Sequence, residues 1–169
     1  MLYRAHAGAV RSYVRRRSDA PTADDAAAEV FVIAWRRLED IPGDGLPWLL
    51  GVARRILANR RRALAREEAL RARLISDHVT AARSDPGQSE SDWAVLRALG
   101  SLNERDREAL LLVGWEGLAP RQAARVLGVY PNTFAARMYR ARRRFARALA
   151  ADRDRTDHPP RSPKAEVLR

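Results

Sequence analysis

SLNERDREALLLVGWEGLAPRQAARVLGVYPNTFAARMYRARRRF, residues 101–145, is the stretch that decides the fold. Asn103 can cap a helix that the glycines at 114 and 117 close. Pro120 can open a short helix ending at Leu127–Gly128, and Pro131 a longer one running to about Leu149. Proline suits the first helical turn, and glycine suits the position just past the last. Residues 124–145, ARVLGVYPNTFAARMYRARRRF, have the spacing of a helix-turn-helix. Ala124 is small where two helices meet and Gly128 permits the tight turn, while Val129, Phe134, Met138 and Phe145 are expected inside. A helix placed in this way presents its N-terminal part to the major groove of DNA.

Upstream, SDPGQSESD (84–92) reads as a flexible linker, since it holds no apolar residue that could order it before Trp93. The chain then divides into a first module over 1–64, a linker over 65–91, a second module over 92–150 and a tail over 151–169. Pro159, Pro160 and Pro163 predict that the tail is disordered. Linked in this way, the two modules are expected to move independently in the free chain. In the first module residues 2–16 predict one helix. Ala27, Val30, Phe31, Ala34 and Leu38 recur at helical spacing and predict a second, capped by Thr22 or Asp24. IPGDGLP (41–47) breaks the chain, and Trp48, Leu49, Val52, Ala53 and Ile56 share one face of a third helix. Phe31, Trp35 and Trp48 are expected in the core. Ala, Leu, Arg and Glu dominate throughout, so the fold class is all-α: two small helical domains joined by a flexible linker.

Net charge is +11 and the isoelectric point about 11.3. Of the 32 basic residues only Lys164 is lysine. Arginine forks onto phosphates and guanine edges, so the bias suits nucleic acid. The charge is also segregated. From Asp19 to Asp44 seven acids face two arginines, whereas from Gly51 to Arg73 eight arginines face Glu67 and Glu68. Arg137, Arg140, Arg142, Arg143, Arg144 and Arg147 follow one another with no acid between them. DNA attracts the two basic stretches and repels the acidic one, which therefore needs a protein partner.

Other classes are excluded or weakened. The absence of cysteine removes disulfides, thiolate metal sites and thiol redox chemistry. His6, His78 and His158 are scattered, and no His or further acid joins Asp24, Asp25 and Glu29 in sequence, so no metal site, cofactor or catalytic residue is expected. No apolar run approaches the roughly 18 residues that span a bilayer, and MLYRAHAGAVRSYVRRR has no secretory pattern. The expected setting is the cytoplasm, without membrane insertion and without a small-molecule substrate.

Three segments resemble the extracytoplasmic-function (ECF) group of the sigma-70 family of RNA polymerase sigma factors. DDAAAEVFVIAWR (24–36) is similar to the family's region 2.2, PWLLGVARRILANRRR (47–62) to regions 2.3 and 2.4, and residues 101–145 to region 4. They stand in the family's order, and the resemblance covers about residues 2–149. It implies a factor that binds core RNA polymerase, directs it to promoters through −35 and −10 elements, and assists promoter opening.

The resemblance also implies roles. Asp24, Asp25, Glu29 and Arg36 would dock on the polymerase. The loop Pro42–Leu46, with Arg54, Arg55, Asn59, Arg60, Arg61 and Arg62, would capture an unstacked base and track the opened −10 strand. Asn132, Thr133, Arg137, Tyr139 and Arg140 would contact the −35 element. Core polymerase and promoter DNA are thus the implied partners, and the family's habits admit an anti-sigma factor as a third. The chain departs from the family pattern at Ala28, where Gln is usual, at Arg55, where Asn is common, and at Ala135 and Ala136, where longer side chains are common. The competing reading is a stand-alone helix-turn-helix regulator that binds an operator without polymerase. It requires a dimer to span two half-sites, and no heptad seam is present to form one.

Overall fold

Pro21, Pro120 and Pro131 each sit in the first turn of a helix, where a missing N–H breaks no intrahelical bond. The computed structural model describes residues 1–72 and 90–157. The linker reading over 73–89 and the tail reading over 158–169 lie outside the described residues. Seven helices follow in order among those described: α1 (Leu2–Arg15), α2 (Ala20–Arg36), α3 (Gly45–Ala72), α4 (Glu90–Gly100), α5 (Glu104–Gly114), α6 (Pro120–Leu127) and α7 (Pro131–Asp157). A short 3-10 turn, Leu38–Asp40, lies between α2 and α3, and no strand occurs among the described residues.

The described residues form two compact units. The first joins α1, α2 and α3 with residues 111–135; the second holds α4, the start of α5 and α7 from Ala136 onward. In the first unit Val10, Tyr13 and Val14 of α1, Ala23, Ala26, Ala27, Val30 and Ala34 of α2, and Leu49, Ala53 and Ile56 of α3 are buried. Tyr3 and Phe31 meet edge to face, with centroids 4.8 Å apart, so Phe31 is half-buried against α1.

Three expectations are corrected here. Helix α2 starts at Ala20, before Thr22 and Asp24, because Pro21 already fits its first turn; neither residue caps it. The apolar stripe stops at Ala34. Beyond it the backbone leaves the helix at Arg37, and Leu38 turns outward. Trp35 is not in the core but 74% exposed.

Helix α6 packs directly on α3. Leu50 and Leu57, which lie off the stripe formed by Leu49, Val52, Ala53 and Ile56, are also buried. Helix α3 is therefore apolar over more than one face, as expected for a helix covered on several sides. A Cβ added at Gly51 would meet Val126 of α6 at ordinary van der Waals distance, 3.8 Å from its carbonyl oxygen.

In the second unit Ala98, Leu102, Ala109, Met138 and Ala141 are buried. Asn103 caps α5 as expected: its Oδ1 accepts the Asp106 N–H at 2.9 Å. Helix α7 runs past Leu149 to Asp157. Arg97 explains the extension, donating from Nε and Nη2 to the buried Asp152 carboxylate at 3.0 and 2.7 Å and so tying these late turns to α4.

The turn of the helix-turn-helix is built as the sequence requires. Gly128 has φ +65°, its N–H bonds the Arg125 carbonyl, and Val129 N–H bonds the Ala124 carbonyl at 3.0 Å. This paired closure of a helix end needs a left-handed residue. Gly128→Ala is expected to lower stability by about 1 kcal/mol, through backbone strain rather than crowding, since nothing lies within 4 Å of the added methyl. Urea unfolding checks this; an unchanged midpoint would show that the turn can relax.

Candidate nucleic-acid interface

Helix α2 keeps its small residues inward and its acids outward. Asp24, Asp25, Ala28, Glu29 and Arg36 are exposed, and so are Val32 and Trp35. Asp25, Ala28, Glu29, Val32 and Arg36 recur at three- and four-residue steps, so they lie along one side of the helix, with Trp35 beside its end. Acids occupy the N-terminal half of this surface and apolar side chains the C-terminal half. Glu29 is also paired: Arg60 Nη2 donates to it at 3.0 Å, while Arg60 Nη1 donates to the Thr22 carbonyl at 3.0 Å. Periodicity alone placed Trp35 inside. The available signal was its position after Ala34, where the stripe ends.

The basic residues of α3 do not form one set. Arg55, Asn59 and Arg62 are exposed at four- and three-residue steps, so they share a side of the helix, and Arg62 donates to Asn59 Oδ1 at 2.5 Å. Arg61 is exposed on the adjoining side and Arg54 is half-buried. Arg60 is turned against α2 by the bonds just described, which makes it a brace between two helices as well as a charge. Ahead of α3, Pro42, Asp44, Pro47, Trp48, Gly51, Val52 and Arg55 border a small hollow that Arg125 of α6 also lines.

On α7, Phe134 and Met138 are buried and point the opposite side outward. Asn132, Thr133, Tyr139 and Arg140 are exposed and Arg137 half-buried. Arg137, Arg140 and Arg144 line a shallow hollow with Asn103, Glu104, Arg105 and Asp106. Arg144 is committed there: its Nη1 donates to Asp106, which is 4% exposed and also accepts from Asn103 Nδ2 at 2.8 Å. Arg143 instead lies over the Tyr139 ring, 5.8 Å from its centroid. Among the described residues no group of His, Cys, Asp or Glu side chains could hold a metal ion, and no helix is long and apolar enough to cross a membrane.

A family model of sigma-70 region 2 matches residues 2–67, and one of sigma-70 region 4 matches residues 92–145. The chain is 32% identical over 132 residues to a probable RNA polymerase sigma factor, RfaY, of Xanthomonas campestris pv. campestris; the match covers 73% of this chain and 33% of that protein. It is 31% identical over 142 residues to the ECF RNA polymerase sigma factor EcfG of Rhodopseudomonas palustris, covering 79% of this chain and 75% of that one. The chain thus spans about a third of the first relative's length and three quarters of the second's.

Among solved structures, the sigma factor RpoE in complex with the anti-sigma factor NepR, from Bartonella quintana, matches with a TM-score of 0.66. At 23% identity, over 89% of this chain and 95% of that one, the likeness is one of fold. CnrH, in complex with the cytosolic domain of CnrY, matches with a TM-score of 0.60 and 26% identity over 89% of this chain and 86% of that one. Region 2 and region 4 are both present and in order, and the chain belongs to the ECF group of the sigma-70 family of RNA polymerase sigma factors.

Proposed function

We propose that the chain binds core RNA polymerase and directs it to promoters, using two modules set by residues 1–64 and 92–150. The exposed face of α2, with Asp24, Asp25, Glu29 and Arg36, docks on the polymerase. Arg54, Arg55, Asn59, Arg61 and Arg62 of α3 hold the opened −10 strand, with Arg60 contributing charge while bracing α2. Asn132, Thr133, Arg137, Tyr139 and Arg140 of α7 contact the −35 element. Basic grooves beside a shaped pocket are the recurrent means of holding a single strand. The chain itself is an initiation factor without a catalytic step, cofactor or small-molecule substrate. It works in the cytoplasm, where polymerase and DNA are found. An anti-sigma factor is a further partner, in keeping with the complex of the Bartonella structure.

The observation that carries this reading is the outward segregation of charge: an acidic, partly apolar surface on α2 and basic surfaces on α3 and α7. One surface suits a protein and the other two suit DNA. Run-off transcription with core polymerase on genomic fragments tests it. Discrete transcripts that require the chain are expected, together with little specific affinity for duplex promoter DNA until polymerase is added. Specific protection of duplex DNA by the chain alone, with no transcript, would favour the stand-alone regulator.

A further inference from the structure

The hollow ahead of α3 differs in chemistry from the arginine surfaces around it. Apart from Arg125, every residue that lines it belongs to the 41–47 segment or to the first turns of α3. Pro42, Pro47 and the half-buried Trp48 supply apolar walls, and the Asp44 carboxylate and the Arg55 guanidinium supply the charged groups. Asp44 has one oxygen engaged by α6: Gln122 Nε2 donates to Oδ2 at 2.6 Å, and Arg125 Nη2 donates to the same atom at 3.2 Å. Oδ1 takes part in neither bond. Among the described residues no hydrogen bond or ion pair commits Arg55. Arg60, by contrast, is held on α2, and Arg62 donates to Asn59.

A phosphate does not explain this arrangement. A surface that only tracks a DNA backbone needs cations, and a carboxylate on it repels the backbone. A carboxylate and a guanidinium set between apolar walls suit a neutral planar ring that carries both donors and acceptors. Unstacked bases are held in this way, by stacking and by hydrogen bonds along their edges. The two charged groups also select among the bases. Guanine alone places two neighbouring acceptors, O6 and N7, beside two neighbouring donors, N1–H and the N2 amino group. A guanidinium fork matches the acceptors, and a carboxylate accepts from the donors. Adenine sets its amino group between two ring nitrogens, so the fork finds a single acceptor. Thymine separates its two acceptors by N3–H, and cytosine has a single donor group.

We propose that this hollow selects an unstacked guanine of the opened −10 strand, with Arg55 donating to O6 and N7 and Asp44 Oδ1 accepting from the N2 amino group. The inference rests on the proposed function and names the base that its −10 site takes. In duplex DNA the O6, N1–H and N2 edge of guanine is engaged by cytosine. Contacts along that edge are therefore complete only once the strand has opened, and capture of the base favours the open state.

The test uses holoenzyme assembled from core polymerase and the full chain, on promoters mapped by run-off transcription. Each position of the opened non-template segment carries guanine, adenine, cytosine or thymine in turn. The templates are already mismatched there, so the cost of melting does not enter. One position is expected at which guanine binds at least about tenfold tighter than adenine. At that position 7-deazaguanine, which lacks N7, and hypoxanthine, which lacks the N2 amino group, should each weaken binding at least about threefold. Arg55→Ala should abolish the penalty of 7-deazaguanine, and Asp44→Ala that of hypoxanthine. Each comparison is a ratio between two DNAs for one protein, so a partly misfolded variant still gives a reading. Equal binding of the four bases, or preference for another base at every opened position, overturns the proposal and leaves the sigma-factor reading standing. A 7-deazaguanine penalty that survives Arg55→Ala does the same, as does a hypoxanthine penalty that survives Asp44→Ala, which would leave Asp44 as a tie to α6. No polymerase-dependent transcript from the parent chain overturns the sigma-factor reading and the proposal with it.

Discussion

Trp35→Ala is expected to weaken capture of core RNA polymerase by about 2–4 kcal/mol, roughly thirtyfold or more in affinity, with little loss of stability. Tryptophan is rarely left in water by a monomeric domain, and this one is 74% exposed on the same helix as the acids assigned to docking. Val32 and Leu38 are also exposed, at 46% and 54%, so an apolar surface continues where the acids end. An interface built in this way uses charge for approach and a buried aromatic anchor for dwell time. The two contributions separate by salt. Asp25→Lys with Glu29→Lys should slow association and lose its effect as salt is raised, while Trp35→Ala should act mainly on dissociation at any salt. Glu29→Lys also costs Arg60 its partner, so Asp25→Lys is the cleaner single change. Binding to core polymerase, followed by competition with a labelled sigma factor, reads both. Unaltered affinity for Trp35→Ala would move the docking surface away from the end of α2.

How much of this was legible in the sequence differs from helix to helix. The helix-turn-helix was readable almost to the residue because its punctuation is backbone chemistry. Asn103, Pro120, Gly128 and Pro131 each restrict the main chain locally, and the structure uses each one where expected. Helix ends that depend on distant partners were not readable. Asp152 looks like the start of a charged tail until Arg97, 55 residues away, closes on it. Trp35 illustrates the same limit from the other side. Periodicity records which residues could share a face, but the turn at Arg37 decides where that face stops being covered. The packing of α6 on α3 left only a faint trace, in the additional leucines at 50 and 57. Among the candidate site residues, Arg60 is bonded into the acidic helix, a pairing that no local pattern announces.

The pairing of arginines also sharpens what to expect from α7 on DNA. Thr133, Arg137, Arg140 and Arg144 recur at four- and three-residue steps along one side of the helix, and Asn132, Ala136, Tyr139 and Arg143 along the next. Asp106 engages Arg144, so Arg144→Ala should cost stability, about 1 kcal/mol once solvent screening of its half-exposed side chain is allowed for. It should leave the salt dependence of promoter binding nearly unchanged. Arg140 is exposed, and neutralising it should weaken binding to every sequence alike and lower the salt slope by about one. Base readout then falls to the first turn. Ala135 and Ala136 offer only methyl groups, so Asn132 and Thr133 are the side chains there able to exchange hydrogen bonds with base edges. Replacing either by Ala should cost about 1–3 kcal/mol on a matched −35 element and little on one already mutated at the contacted base pair. Holoenzyme binding over a series of salt concentrations, with four variants on two DNAs, resolves the three behaviours. Equal losses on both DNAs for Asn132→Ala and Thr133→Ala would mean that α7 only positions the protein. Promoter choice would then rest on α3, where Arg55, Asn59 and Arg62 share one exposed side of the helix.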